Sequence, residues 1–368
     1  MLKRTPLFEA HEQAGAKLVD FGGWEMPLHY GSQLAEHEAV RTACGVFDAS
    51  HMTVIDVTGA HAADYLRVLL ANDIDKLVDE GQALYTCMLN HAGGVVDDLI
   101  VYFRAEKGYR LVVNASTREQ DLAWMNDCVG DFDVALNEQA DLALIAVQGP
   151  QAKAVFERVA KAYDLHGLFD KVAPLTRFSA CEHHSVYVGR TGYTGEDGYE
   201  IMMPAEHAPM TWTAFTSQGA QPCGLGSRDT LRIEAGLNLY GTDMDQSISP
   251  LEAGLAWTVD FGRPERQFNG RQALERQREN GGLPRWCGVV LADKGVIRGG
   301  YQVATEGGAT GVITSGTFSP TLNRAVGFVR LSATDESDCT IDIRGRHHPA
   351  GLRSLPFVRS GTIRVDLP

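Results

Sequence analysis

The chain of 368 residues lacks the short motifs that mark several common enzyme classes. It contains no GxxxxGK[ST] phosphate loop, no GxGxxG dinucleotide turn, no HExxH zinc motif and no GxSxG nucleophile elbow. Its twelve histidines form no cluster with the spacing of metal ligands. We therefore expect no metal site, and we expect chemistry that relies on carboxylates, hydroxyls, arginines and a bound organic compound.

Cysteine pairs, long apolar runs and positive charge are also scarce. The seven cysteines are widely scattered without a CxxC pair, which argues against a zinc site and against a disulfide framework. The longest apolar runs, such as residues 142–147, are too short to span a bilayer, and residues 1–6 begin no signal or transit segment. A net charge of −14 argues against nucleic acid as a main partner. We expect a cytoplasmic protein with reduced thiols and no membrane association.

Two adjacent acids, Asp97 and Asp98, lie within an otherwise apolar stretch, residues 95–103, that follows a glycine turn. The β-branched and aromatic residues predict a strand, and side chains alternate along a strand, so each face carries one acid. Desolvating an unpaired carboxylate is costly, so two acids here need a reason. Either both cap backbone amides at the open end of the strand, or one belongs to a pocket. The spacing alone leaves both interpretations open.

Glu200 and Arg228 are two further polar residues that lie at the start of a predicted strand and of a predicted helix. Glu200 follows a segment with three glycines, residues 192–198, and precedes an apolar strand. Arg228 follows Ser227, which we expect to cap the next helix. A solvated strand-edge acid and a surface salt bridge of little energy would also explain these two residues individually.

The order of predicted elements indicates an α+β protein with three lobes. Residues 1–50 and 140–245 predict a first α+β domain, and residues 51–139 predict a second. Residues 246–284 form a connecting segment that ends in glycines and a proline. Residues 285–368 consist of short strands between glycine and proline turns, which is typical of a small β-barrel or jelly-roll domain.

Six motifs spread over the chain resemble the aminomethyltransferase family, the T-protein of the glycine cleavage system. They are residues 19–27 (VDFGGWEMP), 47–52 (FDASHM), 93–101, 192–200, 226–232 (GSRDTLR) and 315–320 (SGTFSP). One motif alone would be weak, whereas six in the family's order are specific. The resemblance implies two ferredoxin-like α+β domains and a C-terminal barrel around a central folate tunnel.

The resemblance also implies a reaction. An aminomethyl group is carried as a thioether on the lipoyl arm of a carrier protein, the H-protein. Its carbon is transferred to tetrahydrofolate, giving 5,10-methylenetetrahydrofolate, ammonia and the dihydrolipoyl carrier. Family correspondence puts the catalytic acid at Asp97, where a carboxylate in a pocket of low dielectric would stabilise the positive charge left as ammonia departs. Whether Asp97 also transfers a proton stays open.

Carried over residue by residue, the resemblance implies a set of folate contacts. The pterin presents an N–H and an amino group side by side, a donor pair that fits one carboxylate, that of Glu200. Arg228 is a candidate for the anionic glutamate tail or for the central part of folate, and Arg359 is a second candidate for the tail. The family positions around the tunnel, which core packing would also explain, are Met52, Tyr85, Asn114, Tyr193 and Trp257.

Two related proteins are alternatives. One is the folate domain of a demethylating oxidase, which accompanies a flavin domain whose GxGxxG fingerprint is missing here. The other is a non-catalytic folate-binding relative that acts in iron–sulfur cluster assembly; its Lys-Gly-Cys-Tyr motif does not occur around Cys223. The transferase is therefore favoured. An acidic carrier protein could dock on the mildly basic residues 289–368 or on Lys3 and Arg4, and the complex would then weaken as salt rises.

Overall fold

A computed structural model describes residues 2–368. Across this range the helices are α1 Phe8–Gln13, α2 Gln33–Thr42, α3 Ala62–Leu69, α4 Arg118–Asp127, α5 Ala152–Ala162, α6 His166–Val172, α7 Ala208–Ser217, α8 Leu225–Glu234 and α9 Arg271–Asn280. The strands are β1 Lys17–Phe21, β2 Trp24–His29, β3 Gly45–Asp48, β4 Thr53–Thr58, β5 Ala83–Leu89, β6 Val95–Phe103, β7 Tyr109–Val113, β8 Ala135–Glu138, β9 Leu142–Gln148, β10 Ala180–His183, β11 Val186–Gly189, β12 Gly198–Pro204, β13 Gln221–Pro222, β14 Arg285–Leu291, β15 Gln302–Ala304, β16 Thr310–Ser319, β17 Arg324–Leu331, β18 Asp338–Ile343, β19 Arg346–Arg353, β20 Val358–Arg359 and β21 Thr362–Ile363.

The chain divides into two compact units that interleave along the sequence. The first comprises Met1–Leu66, Ile74–Tyr85 and Leu99–Arg228. The second comprises Arg67–Asp73, Thr86–Asp98 and Asp229–Pro368. The boundaries of the three predicted lobes stay a prediction.

The first unit is organised by a six-stranded sheet in the order β10-β11-β12-β9-β3-β13. One face carries a large apolar core in which Phe156 and Phe215, from α5 and α7, meet edge to face at 5.3 Å between ring centroids. A second cluster, which includes Tyr102 and Tyr187, packs on Leu144 and Met202 of this sheet. Both faces of the sheet are therefore covered by apolar side chains. Because β12 lies between β11 and β9 in this sheet, it lies in the interior of the unit.

A five-stranded sheet has the order β5-β6-β7-β4-β8. The predicted strand over residues 95–103 is confirmed as β6. Val95, Asp97, Leu99 and Val101 share one buried face, each at most 2% exposed. The two acids are therefore the third and fourth residues of the nine in β6.

The second unit contains a closed six-stranded barrel in the order β14-β17-β16-β15-β18-β19. Its interior is apolar, with Val289, Ile313, Val329 and Ile341 at most 1% exposed. The predicted α+β class with a C-terminal β-barrel is confirmed. No helix within residues 2–368 is both long enough and apolar enough to cross a membrane.

The start of α8 corrects one prediction. Ser227 does not cap this helix, because α8 begins at Leu225 and Ser227 lies in its first turn. Its hydroxyl, with a single hydrogen to donate, lies 2.9 Å from the Gly224 carbonyl oxygen and 3.3 Å from Oε2 of Glu36. The same Glu36 oxygen accepts from the Gly224 N–H at 2.9 Å. Glu36 of α2 thus accepts the Gly224 N–H at the N-terminus of α8, a role that a capping side chain usually has.

Candidate functional site

The predicted site residues divide between the two units. Six belong to the first unit: Met52, Tyr85, Asn114, Tyr193, Glu200 and Arg228. Three belong to the second: Asp97, Trp257 and Arg359. Within the first unit the structure brings Tyr193, Glu200 and Arg228 together, whereas Met52, Tyr85 and Asn114 are partly buried residues whose contact with a ligand stays a prediction.

Arg228 lies over an aromatic ring. Its Cζ is 4.8 Å from the centroid of the Tyr193 ring, within the range of a cation–π contact. Its charge also acts on the Glu200 carboxyl. The first unit therefore presents a carboxylate, a guanidinium and an aromatic ring as one cluster, which we call the Glu200 cluster.

One oxygen of Glu200 is held by a buried hydroxyl. Thr191 Oγ1 donates to Glu200 Oε2 at 2.5 Å, and the Thr191 hydroxyl is 2.9 Å from that of Tyr102. Because a hydroxyl has one hydrogen, an ionised Glu200 requires Tyr102 to donate to Thr191. Within residues 2–368 no side-chain hydrogen bond reaches the other oxygen, Oε1. The carboxylate can therefore accept donors from a ligand.

The pKa of Glu200 is raised above its ordinary value. Burial is the main cause, and the hydrogen bond from Thr191 and the charge of Arg228 oppose it. A carboxylate that is costly to ionise gains most from a ligand that offers donors, since each new hydrogen bond stabilises the charged form. The electrostatics thus match a site for a donor pair.

The segment that carries Thr191 and Tyr193 wraps around Gln148 of β9. The Gln148 side chain donates to the Thr191 carbonyl at 3.0 Å and accepts from the Thr194 hydroxyl at 2.8 Å. A Cβ at Gly192 would lie 2.0 Å from Gln148 Oε1, and one at Gly198 would lie 2.3 Å from the Val147 carbonyl. A side chain at residue 198 would meet fixed backbone, and one at residue 192 would push the Gln148 amide away from its partners.

A buried ion pair fixes the same segment to α2. Arg41 Nη1 lies 2.7 Å from Glu196 Oε1 and 2.7 Å from the Thr194 carbonyl. The two side chains are 4% and 3% exposed. Breaking such a pair leaves an uncompensated buried charge and costs about 3–5 kcal/mol. The segment, and with it Tyr193, therefore holds a defined position.

Asp48 organises the motif at residues 47–52. It accepts from the Thr5 hydroxyl at 2.6 Å and the Ser50 N–H at 2.8 Å, and its Oδ2 lies 2.9 Å from His11 Nε2. Burial would raise the pKa of Asp48, but these hydrogen bonds and the charge of His11 outweigh burial and lower it. Asp48 is thereby satisfied within the protein and has a structural role.

His51, in the same motif, was not predicted as a site residue. Burial and the charge of Arg228 lower its pKa to about 4, against the effect of Asp48. Its ring meets that of Phe21 edge to face at 5.7 Å. His51 is therefore neutral at physiological pH and adds no charge to the Glu200 cluster.

Asp97 lies in the second unit at the start of β6, and it is fully buried. The preceding turn is rigidly held: the Asn90 side chain accepts from the Gly94 N–H at 3.0 Å and donates to the Gln246 carbonyl at 2.9 Å. A Cβ at Gly94 would lie 1.8 Å from that carbonyl. The Val95 N–H also donates to the Ile248 carbonyl at 2.9 Å. These contacts fix the backbone that carries Asp97.

The other two predicted residues of the second unit are exposed. Trp257 lies on a single 3-10 turn and is 63% exposed, an unusual fraction for so large an apolar ring. Arg359 lies on the short strand β20 and is also exposed. Both side chains can meet a ligand or a partner, and their assignment to folate stays a prediction.

Sequence reasoning missed Thr191 and Tyr102, which hold Glu200. Thr191 directly precedes the segment selected at residues 192–198, and Tyr102 lies in the strand predicted over residues 95–103. The pairing itself leaves no local signal, because Tyr102 and Thr191 are 89 residues apart in sequence.

Comparison with known proteins identifies the family. Residues 7–263 match the family described as GCVT N-terminal domain, and residues 285–359 match the glycine cleavage T-protein C-terminal barrel domain. An aminomethyltransferase of Stenotrophomonas maltophilia (strain K279a) is 50% identical over 98% of this chain and 97% of its own length. One of Xylella fastidiosa (strain M23) is 51% identical over 100% of both.

A solved structure supports the same family. The crystal structure of glycine cleavage system aminomethyltransferase T from Bartonella henselae superposes with a TM-score of 0.89 at 33% identity, covering 99% of this chain and 100% of that one. The similarity thus extends over both units and the barrel. The chain belongs to the aminomethyltransferase family, the T-protein of the glycine cleavage system, and the predicted enzyme class is confirmed.

Proposed function

We propose that this enzyme transfers the one-carbon unit of an aminomethyl group from the lipoyl arm of a carrier protein to tetrahydrofolate. The products are 5,10-methylenetetrahydrofolate, ammonia and the dihydrolipoyl carrier. The observation that carries the folate part is the Glu200 cluster, with Glu200 Oε1 available to a donor and Arg228 over the ring of Tyr193.

Glu200 would recognise the pterin. A carboxylate accepts at both oxygens, and the adjacent N–H and amino group of the pterin match that arrangement. The raised pKa of Glu200 fits a group whose charged form is completed by these donors. Arg228 would face the anionic tail or the central part of folate, with Tyr193 offering a flat apolar surface.

Asp97 would carry the chemistry. The substrate fragment S–CH2–NH3+ is cationic, and loss of ammonia leaves positive charge on the carbon. A fixed carboxylate in a dry site stabilises that charge without having to reorganise. The rigid turn before β6 supports this role, because a positioned charge is more effective than a mobile one.

The partner of the reaction would be the lipoyl-bearing H-protein, and we propose glycine catabolism as the setting. The docking surface stays open between the basic residues 289–368 and the N-terminal Lys3 and Arg4. If an acidic carrier binds either surface, its apparent KM should rise with ionic strength. A cytoplasmic location stays a prediction from the sequence.

The test is a reconstituted assay with the aminomethylated lipoyl carrier and tetrahydrofolate, in which ammonia and methylenetetrahydrofolate are both measured. We expect the two products in equal amounts, and rapid turnover only when both substrates are present. Ammonia release at the same rate without tetrahydrofolate would contradict the proposal.

A further inference from the structure

Two hydroxyls that the proposed folate contacts do not include are linked by hydrogen bonds to the Glu200 carboxylate. Tyr102 of β6 is fully buried, and its hydroxyl lies 2.9 Å from that of Thr191, which donates to Glu200 Oε2 at 2.5 Å. Thr191 is itself 7% exposed. We call the two hydroxyls of Tyr102 and Thr191, which lead to the Glu200 carboxylate, the hydroxyl chain.

The space around the hydroxyl chain is narrow at Gly189 of β11. A Cβ at Gly189 would lie 2.7 Å from the Tyr102 hydroxyl and 3.1 Å from that of Thr191. Glycine at this position therefore leaves the space that the two hydroxyls occupy. The Thr191 carbonyl is held in turn by Gln148 at 3.0 Å.

We propose that Tyr102 and Thr191 are positioning residues for the folate co-substrate, which hold Glu200 as an ionised, oriented acceptor. Tyr102 donates to Thr191 and Thr191 donates to Glu200, so every hydrogen in the hydroxyl chain points toward the carboxylate. Glu200 can then offer only acceptor sites, and a ligand that presents an acceptor at this place is rejected. The inference rests on the proposed function, because it concerns how folate is selected.

A matched control exists in the same apolar cluster. Tyr187 is 3% exposed, its ring meets that of Tyr102 edge to face at 5.4 Å, and its hydroxyl has no hydrogen-bond partner within residues 2–368. Tyr102→Phe and Tyr187→Phe therefore remove the same atom from neighbouring buried rings. Only the first removal touches the hydroxyl chain.

The experiment measures the Kd of tetrahydrofolate for the intact protein by anaerobic calorimetry between pH 5 and 8. We expect Y102F to weaken binding about threefold to tenfold, the effect of one neutral hydrogen bond, and Y187F to match the wild type. T191V should weaken binding about tenfold to a hundredfold, because it removes a hydrogen bond to a charged group, and T191S should restore most of it.

The pH profile separates positioning from general structural damage. The groups acting on Glu200 are Arg228, Thr191 and Tyr102. Losing a donor destabilises the carboxylate, so in Y102F and T191V the fall in affinity should begin at a higher pH than in the wild type. Damage to the fold alone would lower Tm and affinity, but the pH at the midpoint of the fall in affinity would stay the same.

The outcomes are distinguishable. Equal Kd values and equal pH midpoints for Y102F, Y187F and wild type would overturn the inference and leave the proposed function intact. A wild-type protein that binds no tetrahydrofolate would overturn the proposed function itself. If Y102F fails to fold, the comparison of T191S with T191V decides: identical affinity and midpoint in these two variants would contradict the inference.

Discussion

The two units use carboxylates in opposite ways. In the second unit Asp243, fully buried, accepts from Arg232 at 2.7 Å, Thr314 at 2.5 Å, Ser315 at 2.7 Å and the Leu239 N–H at 2.9 Å. In the first unit the Glu200 carboxylate accepts a hydrogen bond from one side chain among residues 2–368, that of Thr191. A carboxylate whose oxygens are filled by the protein supports the fold, whereas one with an available oxygen can bind a ligand.

The barrel motif at residues 315–320 belongs to the first kind. Ser315 binds Asp243, and Ser319 donates to Glu234 at 2.5 Å. Thr321 donates to the other Glu234 oxygen at 2.8 Å. Ser319 of this motif therefore binds α8 to the barrel through Glu234. The family shares this motif because it stabilises the fold.

The largest expected effect concerns Asp97. Asp97→Asn keeps the shape and removes the charge, so we expect turnover to fall by about a hundredfold to a thousandfold, the typical loss when one electrostatic stabiliser is removed, with the Kd of tetrahydrofolate little changed. Steady-state assays with the lipoyl carrier measure this. Asp98→Asn is the matched control on the other strand face, and a larger loss in that variant would move the catalytic role to Asp98.

The next effect is on stability. Asp243→Asn removes the buried counter-charge of Arg232, which keeps the half-exposed Asp229 at 2.9 Å, so the free energy of unfolding should fall by about 3 kcal/mol. Denaturant titration measures the change. The exposed Asp245, two residues away, provides the control: D245N should stay within about 1 kcal/mol of the wild type. An unaltered stability of D243N would contradict the structural role of this acid.

Glu200→Gln should affect ligand binding and not stability, the reverse of what we expect for Asp243→Asn. We expect the Kd of tetrahydrofolate to rise about tenfold to a hundredfold, since hydrogen bonds to a charged acceptor are lost. Tm at neutral pH should hold or rise, because a raised pKa means that the folded state disfavours the charged form. Calorimetry and thermal unfolding check both, with the exposed Glu206→Gln as control. A large loss of Tm with unchanged Kd would make Glu200 a structural acid like Asp243.

The smallest effect is the pH dependence of binding in the wild type. Folate donors bind the carboxylate form of Glu200, so affinity is full above the pKa and falls as pH drops through it. Because burial raises that pKa, the fall should begin above the range of an ordinary glutamate, about 4.3. In E200Q the same titration should be flat over this range. A wild-type profile as flat as that of E200Q would contradict ligand binding through this carboxylate.

The sequence predicted what depends on local pattern. The strand predicted over residues 95–103 is confirmed as β6. Ser227 failed as a cap because Glu36, 191 residues away in sequence, supplies the acceptor. The barrel followed from its short strands, whereas two of the four donors to Asp243, Thr314 and Ser315, come from β16, more than 70 residues beyond it.

The same limit applies to the site. Glu200 and Arg228 were selected by motif, and the structure places both in the Glu200 cluster. What makes Glu200 suited to a ligand is its burial, its raised pKa and the hydroxyl chain, and these depend on contacts that only the folded chain creates. The contacts of Met52, Tyr85, Asn114, Trp257 and Arg359 with folate stay predictions.

Everything proposed for the folate site depends on Glu200 holding the pterin of tetrahydrofolate. A crystal structure of the protein with bound tetrahydrofolate would show whether it does. We expect the pterin N–H and amino group within hydrogen-bond distance of the Glu200 carboxylate, with Thr191 still donating to Oε2. A pterin bound elsewhere, with the Glu200 carboxylate in contact with water alone, would contradict it.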